Sequence, residues 1–456
     1  MVWYKDLRNP RLFCAEERDW VSRRLLDLRA HLRAPAPDGV PTRTRDASLI
    51  IGTWNIRDFD NNKYRHGPRR RESLFYIAEI LSSFDVCAIQ EINEDLGPLQ
   101  EVMRLLGPDW QFIATDVTTG ASGNRERMAF VYDTTKVKFR NVAGEIVLPK
   151  HALLPDEQQF ARTPFMVSFQ AGWFKFSLCT VHIYFGDDTK GSEKYQRRVA
   201  EIDYIAREMA KRAKREDENY ILLGDFNIKN RIDETMQALT RAGFQLPPEL
   251  FPSNVLGTKY YDQIAFRTRK DEVTFISAGC FDFTKPLFKP EHYDHYAPVL
   301  PERHRDLKPD GSPRDRAKDK AYFAKRWMSW QMSDHKPLWV ELAIDFSDEH
   351  LLHNLDDGIA KAGASAQLET LEDTDGRPIR DDEPPRLPEQ RAETKVKRVR
   401  KRKKPKVAAK EKAGTARPNP KLTFAEAWQI FWFVATGKAD ELRKLRDTKN
   451  KQKSKK

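Results

Sequence analysis

The chain has 456 residues, 39% of them hydrophobic and 32% charged, with a formal net charge of +12. That length allows two or three domains and a large core, and no apolar run reaches the roughly 18 residues of a membrane span. The charge is uneven: residues 395–456 hold 22 Lys and Arg against 5 acids, whereas residues 1–394 carry a net −5. A mildly acidic body with a basic tail draws its long-range attraction to anionic partners from the tail. The first 33 residues are studded with charge and lack the apolar stretch and small-residue cleavage site of a secretory signal. Cys14, Cys87, Cys179 and Cys280 stand far apart, with no close metal-ligand spacing. These features predict a reduced, intracellular, cytoplasmic protein (nuclear where the cell has a nucleus), not one exported by a classical signal.

In chain order, residues 15–33 read as a helix, with Trp20, Leu25, Leu28 and Leu32 near one face. A Pro-rich linker over 34–41 follows, so residues 1–46 form an N-terminal extension. From Ser48 onward short apolar runs alternate with helical segments. Strands are expected over 49–54, 86–90, 128–132, 174–181, 220–223, 263–266 and 338–344, and helices over 71–82 and 195–214. The second helix carries the stripe Val199, Ile202, Ile205, Met209. Mixed strands and helices over this length argue for one large α/β domain, residues 47–346. A segment rich in His, Pro and charge interrupts it at 281–330 and reads as a solvated loop capping the cleft. Its histidines, in Lys289-Pro290-Glu291-His292-Tyr293-Asp294-His295, match no standard metal spacing. Residues 347–420 read as a disordered linker, acidic over 369–393 and basic over 395–412. Residues 421–456 hold an amphipathic helix over 423–436 and a final basic run from Lys449. Phe424, Trp428, Phe431 and Trp432 share one face of that helix, which is expected to dock within the chain or on a protein partner.

Polar residues concentrate where the apolar runs end: Thr53-Trp54-Asn55-Ile56-Arg57, Gln90-Glu91, Val181-His182, Gly224-Asp225-Phe226-Asn227, Tyr261-Asp262-Gln263-Ile264 and Ser333-Asp334-His335. Taken singly, Gly-Asp-Phe-Asn is a plain turn, Glu91 a solvated residue and His182 a hydrogen-bonded core histidine. Taken together, acids, amides and histidines stand at the ends of almost every strand. Ligand sites of α/β sheets gather beyond strand ends, so the set predicts one crevice.

In order and spacing these motifs resemble the endonuclease/exonuclease/phosphatase superfamily over about residues 48–346, and its deoxyribonuclease I branch most closely. Asn55-Ile56-Arg57, Arg125-Glu126-Arg127, Phe160-Ala161-Arg162-Thr163-Pro164 and Tyr261-Asp262-Gln263-Ile264 carry that second resemblance. It implies a four-layer α/β sandwich, two packed, mostly antiparallel sheets flanked by helices. It also implies an endonuclease that hydrolyses phosphodiester bonds of nucleic acid, DNA before RNA, with bound Mg²⁺ or Mn²⁺. Glu91, Asn55 and Asp334 would hold the metal, a hard cation that takes oxygen ligands. His182 would pair with Glu126 and His335 with Asp262, as acid and base on either side of the scissile phosphate. Asp225 and Asn227 would orient water and phosphoryl oxygens, and Arg162 and Arg57 would neutralise the phosphate. Asn93 and Asn124 stand where that branch places DNA-contacting Arg and Tyr.

Two other functions use the same residues. A phosphatase or phospholipase acting on inositol phosphates or lipids would share the metal site, but the Pro-x-Trp-x-Asp-Arg stretch of the inositol phosphatase branch is absent. A catalytically silent scaffold would act through the basic tail, but every member of the polar set is present. The basic stretch 395–412 is read first as a grip on nucleic-acid phosphates, with nuclear import and an extended linker as the alternatives.

Overall fold

Strands form where β-branched and aromatic residues recur between turn residues. In this computed structural model residues 2–348 and 351 are described, apart from 60–64, 119–124, 151–152, 155–158, 270–272, 305–311 and 313–314. The strands are β1 (Ser48–Phe59), β2 (Val86–Ile92), β3 (Trp110–Ala114), β4 (Arg127–Asp133), β5 (Val137–Glu145) and β6 (Phe165–Ala171). They continue with β7 (Phe174–His182), β8 (Asn219–Asp225), β9 (Asp262–Arg267), β10 (Thr274–Cys280) and β11 (Leu338–Ala343). The helices are α1 (Ala15–Leu32), α2 (Arg71–Leu81), α3 (Gly97–Leu106), α4 (Glu193–Glu216), α5 (Glu234–Arg241), α6 (Tyr293–Tyr296), α7 (Arg316–Tyr322) and α8 (Met328–Gln331). Apart from residues 347, 348 and 351, the segments expected at 347–420 and 421–456, including the helix over 423–436 and the basic stretch 395–412, lie outside the described residues. None of the described helices is long and apolar enough to cross a membrane.

One sheet runs β10-β11-β1-β2-β4-β3 and the other β5-β6-β7-β8-β9. Each has a single parallel pair, β1 with β2 and β7 with β8, and its other pairs are antiparallel. A parallel pair needs a crossover, which α2 and α4 supply. The ends of β1, β2, β7 and β8 therefore share one edge of the sandwich, and β9 and β11 start from it.

Three apolar clusters stack in four layers. Between the sheets lie Leu49, Ile51, Val86, Ala88 and Phe130 against Val167, Phe169, Leu178, Ile221 and Leu223. Outside the first sheet, Ile50, Trp54, Cys87 and Ile89 pack on α1, α2 and α3. Outside the second, Cys179, Val181 and Leu222 pack on α4 and α5. The fold is the four-layer α/β sandwich expected from the sequence.

One feature differs from expectation. The segment 281–330 is not a solvated loop. Phe281, Phe283, Leu287, Phe288, Tyr293, Tyr296, Phe323 and Trp327 are buried in the same cluster as α1. Each such side chain contributes about 1.5–3 kcal/mol on burial, so the apolar content fixes the insertion on the sheet. The N-terminal extension joins that core as well. Val21, Leu25, Leu28 and Leu32 of α1 are buried, and Arg43 bonds Asp85, 2.7 Å away.

Candidate active site

The shared edge is shaped by local backbone geometry. Gly224 has φ +131°, and a Cβ there would lie 2.2 Å from the Val181 carbonyl oxygen, so only glycine lets β8 close on β7 beside the site. Glu91 and Asn227 both adopt left-handed backbone, φ 61° and 53°. Asn and Asp tolerate that region and Glu does so rarely. Glu91 keeps it while Oε2 accepts from the Asp58 amide at 2.9 Å. The Asn227 amide donates to Asp225 Oδ1 (2.8 Å), and its side chain donates to the Ile183 carbonyl (2.8 Å). Ser333 ties β1 to the end of the insertion. Its hydroxyl donates to the Asn55 carbonyl at 2.6 Å and accepts from the His335 amide at 2.9 Å. Beneath the site, Gln90 Nε2 donates to Thr53 (3.1 Å) and to Thr180 (2.8 Å), joining the two sheets.

Register across the second sheet sets His182 opposite Asp225 and Asp225 opposite Asp262. Asp225 is the hub. Its Oδ2 lies 3.6 Å from His182 Nε2 and 3.9 Å from His335 Nε2, and accepts from Asn55 Nδ2 at 3.0 Å. Asn55 Nδ2 also donates to Glu91 Oε1 at 2.9 Å. His335 Nδ1 bonds Asp262 Oδ2 at 2.7 Å. Burial opposes the charged form of His335, but Asp262 and Asp225 outweigh it and hold the ring well above its ordinary pKa. His182 Nδ1 lies 2.9 Å from Glu126 Oε2, close enough for an ion pair but off the direction of a hydrogen bond. Burial and the Arg162 charge oppose its protonation, and Glu126 and Asp225 raise it nonetheless. Burial would lift the Glu126 carboxyl, but His182 and Arg162 hold it far below the usual range.

The structure thus brings Asn55, Glu91, Glu126, His182, Asp225, Asn227, Asp262 and His335 to one edge. Three other expected residues sit in particular pairings. Arg162 faces Glu126 through two bonds (2.9 and 3.2 Å), both partners buried. Arg57 lies 3.8 Å over the Trp330 ring, donates to Ser329 (2.8 Å) and is 3.4 Å from Asp334. The Asp334 side chain is 41% exposed, the most open of the expected metal residues. Two supporting residues on α4 were not anticipated. Buried Arg198 donates to the carbonyls of Asn227 (2.9 Å), Asp187 (2.6 Å) and Phe185. Buried Glu201 accepts from the Ala161 and Tyr184 amides, both at 3.1 Å, pinning the Arg162 segment beside the one that follows His182. Their only sequence signal is a pair of charges inside the apolar stripe of α4.

Two histidines backed by carboxylates at the edge of such a sandwich mark a hydrolase of phosphoric esters. The chain belongs to the Endonuclease/Exonuclease/phosphatase family, whose sequence model matches residues 52–284. Similar solved structures include a family member from Bacteroides thetaiotaomicron at 16% identity, covering 66% of this chain and 96% of that one, TM-score 0.42. Another is a mannosyl-6-phosphatase of the same organism (16% identity, 65% and 99% covered, TM-score 0.42). A third is the human Nocturnin catalytic domain (13% identity, 65% and 95% covered, TM-score 0.40). No curated protein sequence matches the chain.

Proposed function

We propose that the chain is a divalent-metal-dependent nuclease that hydrolyses internal phosphodiester bonds of nucleic acid, DNA before RNA. The observation that carries this reading is the pair of buried His–carboxylate units facing one Asp225 oxygen, 3.6 and 3.9 Å away. A phosphodiester is an anion with a poor leaving group, so its hydrolysis needs charge neutralisation together with proton transfer at two opposed positions. The basic tail favours a polyanionic substrate.

The donor set fits Mg²⁺ or Mn²⁺. Asn55 Oδ1 is buried with no hydrogen-bond partner among the described residues, and Glu91 lies beside it. A hard cation takes such oxygens and keeps several waters. Asn55 and Glu91 would hold it, with Asp334 adjoining. Asp225, Asp262 and His335 also bring ligand atoms within 4.8 Å of one another. There, however, His335 Nδ1 is already bonded to Asp262 Oδ2 at 2.7 Å, so that group suits proton chemistry better. The metal supplies charge neutralisation at the phosphoryl oxygens. His335, the ring more firmly held as imidazolium, donates a proton to the leaving oxygen. His182, with Nε2 facing Asp225, takes the proton of the attacking water, and Glu126 steadies the charge it gains. Asn227 orients the phosphoryl oxygens.

The experiment incubates the protein with supercoiled plasmid, single-stranded RNA and a soluble inositol phosphate, with Mg²⁺, Mn²⁺ or chelator, beside His182→Ala. Metal-dependent cleavage of at least one of the two nucleic acids, which the variant lacks, is the expected outcome. Phosphate release from the inositol compound alone would replace the nuclease with a phosphatase.

A further inference from the structure

Two tyrosines flank the row His182, Asp225 and Asp262 that the register aligns across β7, β8 and β9. Tyr184 follows His182, the last residue of β7, by two residues, and Tyr260 precedes Asp262, the first residue of β9, by two. β7 and β9 are separated by β8 alone, so roughly 10 Å divides the axes of the strands from which the two segments extend. Each ring is half-buried and covered by a guanidinium: Arg197 lies 4.4 Å over Tyr184 and Arg231 lies 5.4 Å over Tyr260. Arg231 is exposed. A third ring, Tyr261, stacks on His335 at 5.4 Å. Aromatic rings interleaved with arginine are the surfaces on which unpaired bases stack, because every base has a π-face.

The opposite part of the edge, beyond β2, β3 and β4, has a different character. Besides Glu91, whose charge the metal would offset, it carries Glu94, Asp95 and Asp116, and only Arg125 and Arg127 stand against them among the described residues there. Arg125 already pairs with Glu94 at 2.6 Å, and Arg127 with Asp116 at 3.4 Å. Residues 119–124, between them in sequence, hold no charge. Phosphates of a second strand lying there would meet net negative charge, which costs affinity instead of adding to it.

We propose that the substrate is a single strand of nucleic acid, with one base on the Tyr184–Arg197 pair and one on the Tyr260–Arg231 pair, on either side of the phosphate that is cut. This rests on the nuclease reading of the site and narrows it. A duplex keeps its bases stacked inside, out of reach of either pair, and lays its second backbone towards the acidic part of the edge.

The test uses the full chain with Mg²⁺ on a labelled DNA strand, the same sequence as RNA, each annealed to its complement, and bis(p-nitrophenyl) phosphate. Anisotropy of the labelled strands gives a readout that does not depend on turnover. The protein should cleave and bind the single strand at least about tenfold better than the duplex, the ratio expected from one or more stacked bases. DNA and RNA arms then show which sugar the site accepts. Tyr184→Ala/Tyr260→Ala, and the exposed Arg231→Ala separately, should lose about tenfold on the strand through KM, far more than on the small diester. Their difference from wild type reports the edge, since the basic tail is common to all. Equal action on strand and duplex, or equal losses on strand and small diester, would overturn the single-strand proposal while leaving the nuclease standing. Hydrolysis of the small diester with no cleavage of any nucleic acid would instead remove the nuclease reading itself.

Discussion

The two histidine pairs have the same chemistry and different construction. His335 meets Asp262 in a short, well-directed bond, and Asp262 is fully buried as the first residue of β9. His182 meets Glu126 at a similar distance but off-line, and Glu126 also holds Arg162. One pair is positioned by a strand start packed against its neighbour. The other depends on the start of β4, the end of β7 and a loop, brought together partly by Glu201. A carboxylate devoted to one ring holds its proton firmly, whereas a carboxylate shared with a guanidinium holds it less firmly. The difference fits the proposed roles, His335 as the proton donor and His182 as the group that must load and unload.

The largest effects come from removing either ring. His335→Ala and His182→Ala should each reduce turnover by about 10²–10⁴-fold, the range of general acid–base catalysis, in a plasmid-nicking assay with circular dichroism confirming the fold. A variant that keeps wild-type turnover removes its ring from the mechanism. The comparison sharpens in the pH profile. Both rings are raised, so the bell of kcat/KM should be displaced to the alkaline side of the ordinary histidine value near 6.5. Asp262→Asn removes the opposite charge beside His335 and should bring the alkaline limb down by about 1–3 pH units. Glu126→Gln should lower the acid limb instead, by less, because burial and Arg162 already act against protonation of His182. If either variant moves the other limb, the donor and acceptor roles are reversed.

A smaller effect concerns stability. A raised pKa means that folding binds the proton more tightly than the unfolded chain does. The contribution of both rings is therefore complete below about pH 6.5 and fades as pH rises through the raised values. Urea midpoints should fall from neutral pH upward in wild type and fall less in His335→Ala. A wild-type midpoint that rises over that window contradicts the raised state of both rings.

Much of this arrangement is legible in the sequence. β1, β2, β4, β7, β8, β9 and β11 announce themselves because they are buried on both faces and read as continuous apolar runs. Three of the four edge strands do not: β3, β5 and β10 are mostly exposed or half-buried, and β6, although central, is interrupted by Ser168, which bonds Ser177 on β7. The aromatics of the insertion follow no period, so their burial in one cluster is visible only in three dimensions. Most of the candidate site residues could be located because they stand at the ends of apolar runs, whereas Glu126 and Arg162 are located only by the family resemblance. Their supports could not: Arg198 and Glu201 are charges within the apolar stripe of α4, and nothing in the sequence shows which carbonyls and amides they bond. The pairing of Arg162 with Glu126 is hidden as well, since β4, β5 and the segment after them separate the two in sequence.

Arg162 is the residue on which the comparison turns most finely. Its resemblance to a phosphate-binding arginine assigns it to the substrate, whereas its two bonds to Glu126 assign it to the His182 pair. The roles separate in Arg162→Met. A phosphate ligand, once lost, raises KM and leaves the pH profile in place. A partner of Glu126, once lost, frees that carboxylate to act wholly on His182, and the positive charge that opposed protonation of the ring is gone. The acid limb should then move upward, opposite to Glu126→Gln, with KM little changed. Folding stability should fall by about 3 kcal/mol, the low end for breaking a buried pair, because His182 remains to balance Glu126. A raised KM with an unmoved acid limb would return Arg162 to the substrate and leave the His182 pair as self-contained as that of His335.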